Sequence, residues 1–221
     1  MTLKPRTLLD TKSFTDGLID KLDQEGILRS GLGLIGLSGD WHERVIARWQ
    51  VAGRPAVRHF APYFRYVLSV DIFFYLAIGA DLISRVRPSN KIDFAYLYYL
   101  PFSMVFASND TLHSRVVPLF LRSYQTFVEG AALKEDLGKL DRYFSLFPEE
   151  IKNEGVFRFA TYPPKEGSFL VTQLWDKYLP GWRKSESERE PLSRNTEIDI
   201  RKIEPDQKRR NSNRAAVRVH F

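Results

Sequence analysis

Apolar residues recur at three- and four-residue spacings along most of the chain, and the first set that does so is Leu18, Ile19 and Leu22, preceded by Ser13 and Asp16. A Ser followed three residues later by an acid is a capping-box pattern, so a helix is predicted to open at Ser13 and to stop near Gly26. The glycine-rich residues 29–39 predict a loop. Val45, Ile46 and Trp49 then share one face of a helix predicted over 41–50, with Pro55 marking its exit. Pro62 and the aromatics Phe60, Tyr63, Phe64 and Tyr66 lead into an apolar segment, residues 67–83, which is too long for one strand and is predicted as a buried helix.

Beyond Pro88 the pattern predicts a short helix over 93–100 ended by Pro101, a buried strand over 103–107, a turn at Asn109 and Asp110, and a second apolar helix over 113–121 kinked at Pro118. Leu133, Leu137, Leu140 and Phe144 mark an amphipathic helix that Pro148 follows. Pro163, Pro164 and Gly167 predict a loop, after which Ser168 is placed to cap a last helix carrying Leu170, Leu174, Trp175 and Tyr178. From about Arg183 the chain has few apolar residues and many Ser, Glu, Arg and Asn. It cannot offset its ordering entropy there, and disorder is expected. No internal repeat is evident.

Length then bounds the organisation. With 221 residues, 43% of them hydrophobic, the chain can build one sizeable core plus an extension. The expected class is α/β: a helix-rich three-layer domain around a short parallel sheet over residues 1–125, a helical C-terminal extension over 126–182 packed on it, and a disordered basic tail over 183–221. The most apolar run, residues 72–80, falls well short of the roughly 20 residues that cross a bilayer, so no membrane span is expected. The first ten residues lack the apolar region of a secretory signal, and a cytoplasmic location is expected. Cysteine is absent, which excludes a disulfide scaffold and any thiolate metal site. Net charge is +6, of which residues 183–221 carry +4 and residues 1–182 only +2. The body is nearly neutral and makes no electrostatic case for nucleic acid, so the basic excess belongs to the tail.

Three patterns are candidates for chemistry. Gly31, Gly33 and Gly36 fit GxGxxG, but the dinucleotide motif needs a strand before it; a helix end precedes it here, and a turned loop is the better reading. His42, His59, His113 and His220 form no close-spaced ligand pair and no serine-hydrolase elbow, so packing or surface roles are expected, with His113 set apart by lying three residues after Asp110. The block from 93 to 110 carries more. An acid, Asp93, opens an apolar helix, a strand follows, and Asn109 and Asp110 stand at the strand's C-terminal end, the edge of an open sheet where ligands bind. Two carboxylates meeting at that rim would repel one another unless a divalent cation neutralised them, and hard oxygen ligands suit Mg²⁺ or Mn²⁺. The plainer reading is that Asp93 and Asp110 each cap a helix and Asn109 makes a turn. Both readings stand, since a cap also aims its carboxylate outward.

This pattern resembles the PIN-like ribonucleases, a family of metal-dependent nucleases that includes many bacterial toxins. In that family an Asp ends the first strand, a second acid comes from a middle helix, an Asp opens a later helix, and a strand leads into a Thr/Ser-x-Asp turn. Leu8, Leu9, Asp10 and Thr11, then Asp93, then Ser108, Asn109 and Asp110 follow the same order over about residues 7–122. The resemblance implies an Mg²⁺ or Mn²⁺ site at Asp93, Asp110, Asp71 and Asp10, with Glu43 competing with Asp71 for the middle position and Asn109 or Ser108 orienting water or phosphate. It implies an endoribonuclease with RNA as substrate. The competing expectation is a non-catalytic protein whose aromatic surface or basic tail binds a partner, or whose tail, through Arg209, Arg210, Arg214 and Arg218, contacts nucleic acid.

Overall fold

In a computed structural model, which describes residues 5–87, 89–165 and 168–187, the first helix begins before its periodicity suggests. α1 (Leu8–Lys21) is capped by Thr7, whose Oγ1 accepts the Asp10 N–H at 3.0 Å while Asp10 Oδ2 accepts the Thr7 N–H at 3.1 Å. The same Thr/Ser-x-x-acid pattern thus occurs twice in succession, and the earlier copy wins. Leu8 and Leu9, expected as strand, are helical, and Ser13 lies inside the helix. Gly26 does not end a helix either. It lies in the first turn of α2 (Gln24–Leu34), where its N–H meets Asp23 Oδ2 at 2.7 Å.

Residues 29–34, expected as loop, continue α2, where the missing side chain of Gly31 leaves room for the Phe64 ring. A Cβ at Gly31 would stand 2.3 Å from Phe64 Cζ. The chain turns only at Gly36 and Gly39, both at positive φ (76° and 64°), and then enters α3 (Asp40–Val51). A one-turn helix, α4 (Val57–Phe60), precedes α5 (Pro62–Gly79), which starts with Pro62 in its first turn, where a missing N–H costs nothing.

The next helix opens at Ser89, four residues before Asp93. α6 (Ser89–Ala95) tightens into a 3-10 helix, Tyr96–Phe102, that accommodates Pro101. Phe94, Leu97 and Leu100 are buried at three-residue spacing, which matches the 3.0 residues per turn of a 3-10 helix better than the 3.6 of an α-helix. β1 (Val105–Ser108) follows, half-buried with Ala107 exposed rather than buried throughout. Then come α7 (Thr111–Val116), a 3-10 turn at Val117–Leu119 that contains Pro118 as the sequence predicts, and β2 (Thr126–Glu129). β1 and β2 form a two-stranded parallel sheet, so the architecture is helix-rich α/β.

The chain divides into two compact units between Phe127 and Val128. The first has two apolar clusters. The larger gathers Val70, Phe73 and Phe74 of α5, Phe94, Leu97 and Leu100, and Val116, Val117 and Phe120, with the Phe73 and Phe120 rings edge to face at 5.2 Å. The smaller joins Leu28 and Leu32 of α2 to Ile46 and Trp49 of α3 and Val57 of α4. Each of these side chains contributes about 1.5–3 kcal/mol by leaving water.

The second unit contains α8 (Gly130–Ser145), α9 (Glu149–Asn153), α10 (Val156–Phe159), α11 (Leu170–Tyr178) and α12 (Trp182–Ser187). α8 buries Leu140 but leaves Leu137 half exposed, and its other buried residue is Asp136. That carboxylate accepts the N–H groups of Leu170 and Val171 at 2.8 and 2.9 Å, capping α11 in place of the expected Ser168. Arg183, assigned to the tail by composition, is held in α12: its Nε and Nη2 each donate to Asp176 at 2.8 Å, and the adjacent Trp182 is buried. Residues 188–221, the rest of the predicted tail, lie outside the described residues.

Candidate functional site

β1 ends at Ser108 and α7 begins at Thr111, so Asn109 and Asp110 form the whole connection. Asp110 caps α7, its Oδ1 accepting the Leu112 N–H at 2.6 Å, as the capping reading requires. Ser108 Oγ accepts the Asp110 N–H at 3.0 Å and lies 2.8 Å from His113 Nδ1. His113 Nε2 lies 2.8 Å from the backbone oxygen of Asp93. A carbonyl can only accept, so Nε2 carries a proton, and in the neutral ring Nδ1 then accepts from the Ser108 hydroxyl. One buried imidazole therefore ties the helix that carries Asp93 to the turn that carries Asp110. The rings of Phe106 and Tyr96 meet its ring edge-on at 5.3 and 6.0 Å and fix its plane.

Asp93 lies inside α6 rather than at its start and caps nothing. Asp93 is partly buried, and its carboxylate has no hydrogen bond or ion pair among the described residues; Asp110 Oδ2 has none there either. Asn109 is exposed.

The other predicted acids are engaged elsewhere. Asp71 Oδ1 accepts the Tyr98 hydroxyl at 2.6 Å and pairs with Lys91, bonds that tie α5 to α6 and the 3-10 helix. Burial, and then the Asp71 carboxylate, push the Tyr98 phenol well above its ordinary range. Asp10 is spent on its own capping box. Glu43 is exposed and paired with Arg29 at 3.1 Å. Of the remaining histidines, His42 bonds the Leu37 carbonyl at 3.2 Å and His59 accepts from Arg58 Nε at 3.1 Å, while His220 lies outside the described residues.

Among the described residues, no group of three or more His, Asp or Glu side chains is arranged to hold a metal ion. No helix among those residues is long and apolar enough to cross a membrane.

The central role of His113 was not read from the sequence, although its three-residue offset from Asp110, one turn along α7, was the available signal. The Tyr98 and Lys91 partners of Asp71 lie 27 and 20 residues away and left no local signal. No known protein family, characterised protein or solved structure matches the chain.

Proposed function

We propose that Asp93 and Asp110 bind Mg²⁺ or Mn²⁺ and that the protein is a cytoplasmic endoribonuclease. The observation that carries this reading is the His113 bridge: it holds the backbone of Asp93 and, through Ser108, that of Asp110, yet leaves the Asp93 carboxylate without a partner among the described residues. A carboxylate oxygen without a protein partner is a ligand for a hard cation. A bound divalent cation would supply an activated water and stabilise the charge that develops on a phosphoryl group. Asp93 and Asp110 would hold it, Asn109 would orient water or phosphate from the exposed turn, and Ser108 and His113 would position the two acids.

The test is cleavage of single-stranded RNA by the purified full chain with Mg²⁺, with Mn²⁺ and with chelator. Metal-dependent cleavage is expected, falling at least about a hundredfold in Asp93→Asn and Asp110→Asn. Asn is itself a good helix cap, so Asp110→Asn preserves the turn. Absence of cleavage with every divalent metal overturns the reading in favour of a non-catalytic partner-binding protein.

A further inference from the structure

Asp93, Tyr96, Tyr99 and Phe102 recur every third residue, and from Tyr96 onward the backbone is a 3-10 helix. Three residues make one turn of such a helix with a rise of about 6 Å, so the aromatic three lie in a row along one edge. The buried edge is the companion row Phe94, Leu97 and Leu100. The aromatic row faces outward: Tyr96 is 55% exposed, Tyr99 68% and Phe102 72%. Three large rings so far in solvent are not packing the core.

The row has distinct ends. At one, Tyr96 touches the His113 ring, one turn from Asp93. At the other, Phe102 lies against Tyr63 with ring centres 4.9 Å apart. The segment from Arg122 to Gln125 is anchored beside that second end, since Gln125 Nε2 donates to the Leu100 and Ser103 carbonyls at 2.5 and 2.7 Å and its Oε1 accepts the Arg122 N–H at 2.9 Å. Arg122 is exposed, and its guanidinium donates to the Tyr124 hydroxyl at 3.1 Å and has no carboxylate partner among the described residues.

We propose that this edge is a stacking platform for single-stranded RNA, with successive bases on Tyr96, Tyr99 and Phe102 and the phosphate backbone running from Arg122 toward Asp93. The platform deepens the nuclease reading and rests on it for the identity of the strand. Aromatic faces accept any base, and a guanidinium free of carboxylates suits a phosphate. A duplex keeps its bases paired and stacked on one another, so the platform selects single strands.

The experiment measures binding of a fluorescein-labelled ten-nucleotide oligouridylate to the full chain by anisotropy, in chelator so that no cleavage intervenes. Tyr99→Ala and Phe102→Ala, both at exposed positions, are each expected to weaken binding about tenfold, and Arg122→Gln to weaken it and flatten its salt dependence. Tyr99→Phe should keep most of the affinity. Affinity unchanged in Tyr99→Ala and Phe102→Ala overturns the platform, including the case where the basic residues 183–221 alone capture RNA. So does an absence of binding, or a wild-type dimer in sedimentation that Tyr99→Ala dissociates, which would assign the row to a second copy of the chain. Cleavage is scored separately. Stacking-dependent binding without cleavage sustains the platform and overturns the nuclease, whereas metal-dependent cleavage with binding indifferent to the three rings does the reverse.

Discussion

In the neutral ring of His113 the Ser108 hydroxyl donates to Nδ1 at 2.8 Å, because Nε2 gives its own proton to the Asp93 carbonyl. This arrangement ties three stretches of backbone together, since the same Ser108 oxygen also accepts the Asp110 N–H. Replacing the imidazole with an apolar ring leaves a carbonyl and a hydroxyl without their partner. His113→Phe is therefore expected to lower stability by about 2–4 kcal/mol, read as a lower urea midpoint at unchanged slope. His113→Gln, which can still donate to the carbonyl, should lose less.

Gly31 and Gly33 occupy the same helix and differ in what surrounds them. An added methyl at Gly31 runs into the Phe64 ring, while at Gly33 nothing lies within 4 Å. Gly31→Ala is expected to destabilise by about 1–3 kcal/mol through overpacking. Gly33→Ala should stabilise by up to about 1 kcal/mol, from helix propensity and a less flexible unfolded chain. Thermal melts of the two variants should move in opposite directions.

Asp136 is the cap of a helix that starts 34 residues later. Asp136→Ala removes a buried acceptor from two N–H groups and is expected to cost about 2 kcal/mol. The loss should be confined to the second unit, seen as faster amide exchange at Leu170 and Val171 with little change in α5.

The phenols of Tyr66 and Tyr98 are both held above their ordinary range, Tyr66 first by burial and then by the nearby Tyr63, Tyr98 first by burial and then by its bond to Asp71. In the unfolded chain they ionise near pH 10. Their contribution is fully present below that pH and is lost as pH rises toward the folded values, because the unfolded state releases its protons first. Urea stability should fall as pH climbs past about 10, and the Tyr66→Phe, Tyr98→Phe double variant should show a shallower fall.

The amphipathic stretches behind α3, α8 and α11 were legible in the sequence because helical periodicity is a local property, and α5 was legible because its apolar run is too long for one strand. The cap at Asp110 and the break at Pro118 were legible because each acts within a few residues. The element boundaries were less so. Thr7 with Asp10 and Ser13 with Asp16 carry the same local signal, and Asp16 was diverted to Arg65 and Ser69, residues about fifty positions away. β2, α9 and α10, at four or five residues each, are too short to show a period.

For the candidate site, the sequence by itself determined the acids at 93 and 110, the strand between them and the absence of thiolate ligands. Tertiary structure decided which acids are available. It spent Asp71 on Tyr98 and Lys91, joined Asp93 to Asp110 through His113, kept Gly31 helical against Phe64 and turned every third residue after Asp93 outward. These outcomes depend on partners distant in the chain, or on which turn geometry buries more apolar surface, and neither is encoded in local spacing.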